Sequence, residues 1–162
     1  MNRTDKFIKQ IEKGYTFKGS SMLLGTSVLD GEPINENQVK APLKTFNRHG
    51  LIAGATGTGK TKTLQNIAER LSENGVGVLL MDIKGDLSGL SQPGNDHPKI
   101  QERHNKIGEP WTPQGYPCEL LSISAQEGVR LRATVSEFGP TLLSKILQLN
   151  DTQSGVVSLI FK

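Results

Sequence analysis

Residues Gly54-Ala55-Thr56-Gly57-Thr58-Gly59-Lys60-Thr61 satisfy every fixed position of the pattern G-x-x-x-x-G-K-[ST], a glycine-rich loop that cradles phosphate. Glycines at 57 and 59 let the backbone approach phosphate oxygens with no Cβ in the way. Successive N–H groups from Thr56 to Thr61 can then point into one concavity at a helix N-terminus. Lys60 supplies a mobile positive charge for the β and γ phosphates, and Lys62 adds another two residues on. The Thr61 hydroxyl can occupy one position in the shell of a Mg²⁺ that also binds phosphate. Random ordering of this composition would give about two such matches per hundred chains, so the pattern needs its context.

Other residues offer weaker chemistry. Asp82 follows the apolar run Val78-Leu79-Leu80-Met81. It could act as a carboxylate on the Mg²⁺ side, or it could simply end a strand and cap a turn. Asp82-Ile83-Lys84-Gly85 and Asn105-Lys106-Ile107-Gly108 imitate two guanine-nucleotide motifs. The second has Gly108 where a carboxylate must accept the guanine donors, which argues against a GTPase. His97, His104, Asp96, Glu102 and Cys118 have no recognised metal-ligand spacing. Trp111, between Pro110 and Pro113, reads as a loop anchor, and Arg48 and His49 as surface residues.

The elements that must position the loop are legible around it. Leu51–Ala53 is a short apolar run that predicts a strand feeding the loop. Leu64, Ile67, Ala68 and Leu71 then recur at helical spacing on one face. Gly75 stands where a left-handed helix end favours glycine, and Gly77–Met81 predicts a second buried strand. Strand, loop, helix and strand together predict a parallel βαβ crossover.

On the N-terminal side, Asp5–Lys13 predicts an amphipathic helix with Phe7, Ile8 and Ile11 on one face, a Thr4 cap and a Gly14 stop. Tyr15–Asn47 reads as short strands and turns. Beyond the crossover, Lys84–Pro98 and Gly108–Pro117 predict loops around a helix at Lys99–Ile107. Glu119–Ser124 and Leu131–Val135 predict strands. Pro140–Gln148 predicts a helix, and Asn150 or Asp151 caps a last one running to Phe161. The division expected is residues 1–46 as a helix and short β lead-in, and 47–162 as a nucleotide-binding core. The closing run of Val156, Val157, Leu159, Ile160 and Phe161 needs a packing partner and reads as the edge of a longer domain.

Composition bounds the rest. A chain of 162 residues has the size of one ordinary domain. Its 18 Gly and 8 Pro make it turn-rich without reaching the level of a disordered or collagenous chain. A net charge of +3 is too small to argue for nucleic acid or an anionic membrane. Cys118 stands alone, which excludes an internal disulfide and suits a reducing compartment. With no apolar core for a signal peptide and no long apolar run, the expected location is the cytoplasm, with no membrane partner.

The run Asn47-Arg48-His49-Gly50-Leu51-Ile52-Ala53 leading into Gly54–Thr61, followed by Met81-Asp82-Ile83-Lys84-Gly85-Asp86-Leu87, resembles the HerA-type ATPases. More narrowly it resembles the bacterial YjgR-like subgroup, in the HerA/FtsK branch of RecA-like motors. The similarity continues through Leu131–Val135 and Phe138–Pro140 to Leu149–Val156. It implies an α/β, RecA-like P-loop NTPase fold, a three-layer core with a mainly parallel sheet, incomplete in this chain. It implies ATP with Mg²⁺ as ligand, a homo-oligomer of hexameric type, and DNA as a possible partner. It also places the family's Mg²⁺-coordinating acid strand, its catalytic glutamate and its neighbour-supplied arginine beyond Lys162. Mg-ATP binding with little or no turnover is therefore expected of this chain. Two other functions suit the same residues: a nucleotide-binding regulatory or assembly module that does not hydrolyse, and a small-molecule kinase that uses Asp82.

Overall fold

The computed structural model describes residues 2–162 as a mixed α/β chain that falls into two compact units, one reaching Cys118 and one running Glu119–Lys162.

In the first unit, α1 (Arg3–Tyr15) starts earlier than the Thr4 cap allowed. Asn2 is the cap: its side chain accepts the Asp5 N–H at 2.8 Å, and the Asp5 carboxylate accepts the Asn2 N–H at 3.0 Å. This reciprocal pair satisfies two orphan donors, which a lone threonine cannot do. Gly14 does not stop the helix, which continues one residue past it. Phe7, Ile8 and Ile11 make the less exposed face of α1, which packs on a hairpin.

That hairpin pairs β1 (Ser21–Leu29) with β2 (Glu32–Pro42) antiparallel. Asp30 and Gly31, both at positive φ (52° and 88°), make the two-residue turn that matches the twist of its strands. Thr26 faces Gln38 whereas Ser27 faces Ile34, so Asn35–Asn37 bulge out of the ladder. Met22 is the best-buried apolar residue here, at 2% exposure.

α2 (Lys60–Glu73) buries Gln65, Ala68 and Leu71 on one face. It ends as its glycine predicts: Gly75 has φ +72°, Val76 N–H reaches Leu71 O at 2.9 Å, and Gly75 N–H reaches Ser72 O at 2.9 Å. A 3₁₀ turn at Ser88–Ser91 interrupts the loop expected at Lys84–Pro98. α3 (Pro98–Ile107) has proline in its first turn, and the His97 ring accepts the Lys99 N–H at 3.1 Å.

The parallel crossover is where structure and expectation part. Neither Leu51–Ala53 nor Gly77–Met81 joins a ladder, and Leu51 and Met81 are 89% and 87% exposed. A parallel strand gives up its backbone polar groups to neighbours and its two faces to helices. Among the described residues no strand lies alongside either segment, so neither is held as one.

In the second unit, β3 (Leu121–Ser122) and β4 (Val129–Arg130) pair in parallel over two residues each. The strand expected at Leu131–Val135 is absent, because Thr134 and Glu137 form a capping box that starts α4 (Val135–Ile146) there. α4 kinks at Gly139 (φ 65°, ψ 171°), immediately before Pro140. The proline that marked the start of the expected helix is thus inside the observed one. α5 (Asp151–Ile160) begins at Asn150, whose side chain accepts the Gln153 N–H at 2.9 Å, and it packs against α4. No helix among the described residues is long and apolar enough to cross a membrane.

Candidate phosphate-binding loop

The loop is an exposed arch whose strained positions are glycines. Gly57 and Gly59 have φ of +81° and +94°, a region that side chains with a Cβ enter at a cost of about 1–3 kcal/mol. Gly54 is needed for space: a Cβ there would stand 2.6 Å from Thr58 Oγ1. Three donors converge on one acceptor across the arch. The Ala55 carbonyl accepts from Lys60 Nζ at 2.7 Å, from Thr58 Oγ1 at 2.8 Å and from Thr58 N–H at 3.4 Å.

Gly59 caps α2 without a side chain, so the orphan N–H groups of the first turn gain no internal acceptor. The first turn also carries no acidic residue. Lys60 and Lys62 stand there instead, where the positive end of the helix dipole disfavours cations. Thr61 is half-buried, and its hydroxyl is left out of the loop's own hydrogen bonds, which come from Thr58, Lys60 and Thr63. A free, hard oxygen donor of this kind could serve Mg²⁺.

Asp82 is committed to its own turn. One carboxylate oxygen accepts N–H groups from Lys84 (3.3 Å), Gly85 (2.7 Å) and Asp86 (3.2 Å), and the other accepts from Leu87 (2.9 Å). Three donors share one oxygen and a single donor takes the other, which keeps a free acceptor position. The Leu87 N–H first, then the other three, holds the Asp82 carboxyl below its ordinary range despite some opposing desolvation. Among the described residues no group of three His, Cys, Asp or Glu side chains could hold a metal ion.

The far end of α2 faces a different environment, which the residue pattern did not disclose. A cleft of about 790 Å³ opens between α2, the loop around the Ser88–Ser91 turn, α3 and the Pro110–Tyr116 segment. Arg70 bridges Glu73 and Glu109, and the Tyr116 hydroxyl donates to Glu73 at 2.7 Å. Gln65 donates to the Asp86 carbonyl at 2.9 Å, tying α2 to the turn that Asp82 organises. Burial first, then the negative charge of Glu73, raises the Glu69 carboxyl. Burial and the bond to Glu73 raise the Tyr116 phenol. These partners lie up to 43 residues apart in sequence, and no local spacing announces them.

The model of the helicase HerA-like C-terminal family matches residues 28–162. Two curated relatives, both called DNA double-strand break repair helicase HerA, are similar over shorter stretches. The protein from Saccharolobus solfataricus is 40% identical over 57 residues, covering 35% of this chain and 11% of that protein. The one from Sulfolobus acidocaldarius is 30% identical over 93 residues, covering 56% of this chain and 19% of that protein. The chain therefore matches less than a fifth of the length of either relative. No solved structure matches it.

Proposed function

The chain belongs to the helicase HerA-like C-terminal family, and from that premise we propose that the Gly54–Thr61 loop binds the phosphates of Mg-ATP as the nucleotide site of a HerA-like motor. The observation that carries this reading is the N-terminus of α2. It combines uncapped N–H groups, two lysines and no carboxylate, an arrangement that is electrostatically unfinished without an anion. In this reading Gly54 to Thr58 form the arch, and Gly57 and Gly59 let it close on the phosphates. Lys60 leaves the Ala55 carbonyl for the β and γ phosphates, and Lys62 adds charge at the rim. The Thr61 hydroxyl would hold Mg²⁺, which supplies charge neutralisation to the phosphate oxygens.

Turnover asks for more than binding. A water must be positioned by a group that faces the γ phosphate, and Asp82 is held in its own turn by four N–H groups. Binding with little or no hydrolysis is the activity proposed for this chain. The wider proposals follow from family membership: residues 47–162 as part of a RecA-like core behind a 1–46 lead-in, assembly into a homo-oligomer of hexameric type, and DNA as the substrate acted on by the whole motor. The relatives' printed names support the last of these.

Lys60→Ala tests the assignment. It removes a charge-assisted bond of about 1.5–3 kcal/mol, so calorimetric titration with Mg-ATP should show affinity reduced by about tenfold or more. Equal affinity in the variant would overturn it.

A further inference from the structure

Apart from Lys62, the cleft beside α2 holds a set of side chains that the phosphate-loop reading does not use. Among the described residues the ion pairs are Arg3–Asp30, Arg70–Glu73, Arg70–Glu109 and Lys106–Glu102. Lys62, Lys99 and Arg103 line the cleft and take part in none of them. Of the carboxylates on the same wall, Glu73 is already taken by Arg70 and the Tyr116 hydroxyl. Glu69 and Asp86 are the other carboxylates on this wall, and Arg70 already answers both Glu73 and Glu109, so Lys99 and Arg103 are left unpaired in a cleft that is close to neutral.

Two rings line the same space. Trp111 and His104 have centroids 6.1 Å apart at an angle of 38°. His104 Nδ1 lies 2.8 Å from the Glu109 carbonyl. A carbonyl can only accept, so the proton is on Nδ1 and a neutral ring keeps Nε2 as an acceptor. The Trp111 backbone is held by its carbonyl, which accepts from Gln101 at 3.5 Å. Gly94 lies against the indole, since a Cβ there would stand 3.5 Å from it. The indole is therefore seated, half-exposed and beside unpaired cations.

A planar apolar surface, an imidazole acceptor and free cations in one cavity suit a ligand with a flat heterocycle and a phosphate. The volume of about 790 Å³ lies in the range for one small ligand. We propose that this cleft is a second ligand site, separate from the Gly54–Thr61 loop, and that it takes a free nucleoside monophosphate. The base lies against Trp111, and the phosphate sits beside Lys99 and Arg103. The assignment does not rest on the nucleotide role of the loop: Lys62 is the one residue shared, and none of residues 54–61 lines the cleft.

Trp111 is the chain's single tryptophan, so its emission reports on the cleft alone. Titration with AMP should change that emission saturably. The double variant Lys99→Glu, Arg103→Glu, which alters exposed side chains, should raise the midpoint by about tenfold or more. Lys60→Ala should leave it where it was. Unchanged emission up to millimolar AMP would overturn the site, as would loss of the response in Lys60→Ala, which would move the nucleotide to the loop. An equal response to inorganic phosphate would remove the base from the ligand. A response to an oligothymidylate with none to AMP would exclude a free mononucleotide. Circular dichroism of each variant separates these outcomes from unfolding.

Discussion

The loop that leads into α2 is exposed from Gly54 to Thr58 and half-buried from Gly59 to Thr61, and the hydrogen bonds that shape it lie within five positions in sequence. At its C-terminal half the same helix is fixed by Glu109 and Tyr116, 39 and 43 residues away from their partners. The first end is organised by backbone geometry and left short of an anion. The second is organised by side chains that largely satisfy one another. A site that must admit phosphate needs unmet N–H groups and free charge, whereas a joint that holds a helix in place needs the opposite. In the proposed reading one helix carries both, a few turns apart.

The largest effect should come from rigidifying the loop. Gly59→Val places a β-branched residue at φ +94°, and the loop must either pay that strain or change shape. Mg-ATP affinity should fall by roughly a hundredfold in calorimetric titration, with the urea midpoint little changed. Retained affinity would mean that the arch seen here is not the one that binds. Next in size is the roughly tenfold loss expected of Lys60→Ala.

Stability should respond at the other end. Arg70→Ala leaves Glu109 and Glu73 without their shared cation, and about 1–2 kcal/mol should be lost in urea unfolding, less than for a buried pair because the site is partly solvated. Mg-ATP affinity should hold. A variant that lost affinity and kept its stability would erase the contrast between the two ends.

How much of this was legible beforehand depended on the distance over which each feature is decided. The phosphate loop, the Gly75 helix end and the Asn150 cap are written in residues a few positions apart, and the structure has the last two as read. The capping boxes at Asn2 and Thr134 were equally local, but Asp5 and Glu137 had to be paired with their caps for the helix starts to be placed correctly. Leu51–Ala53 and Gly77–Met81 failed differently. Their apolar pattern is that of buried strands, yet a strand is made by its neighbours, and none is present among the described residues. The cleft was invisible because each of its walls comes from a different segment. Trp111, read as a loop anchor between its prolines, is one of the residues that line it.

The smallest effect expected is electrostatic. Burial raises the folded-state carboxyl of Glu69 above its unfolded value, so ionising it costs stability as pH rises through that raised value. Below the ordinary carboxylate range the group is protonated in both states and costs nothing. Glu69→Gln should therefore stabilise the chain at neutral pH by a few tenths of a kcal/mol, since the site is partly solvated, and by nothing in acid. Equal stabilisation at both pH values would place the effect in packing and not in charge.

The most direct measurement is an amide NMR titration of the 162-residue chain with Mg-ATP. Phosphate bound at the head of α2 should shift the N–H resonances of Gly57 to Thr61 most, and Lys60→Ala should suppress those shifts at the same ATP concentration. Loop amides that stay still while Mg-ATP saturates the protein would contradict the assignment of the phosphate site to Gly54–Thr61.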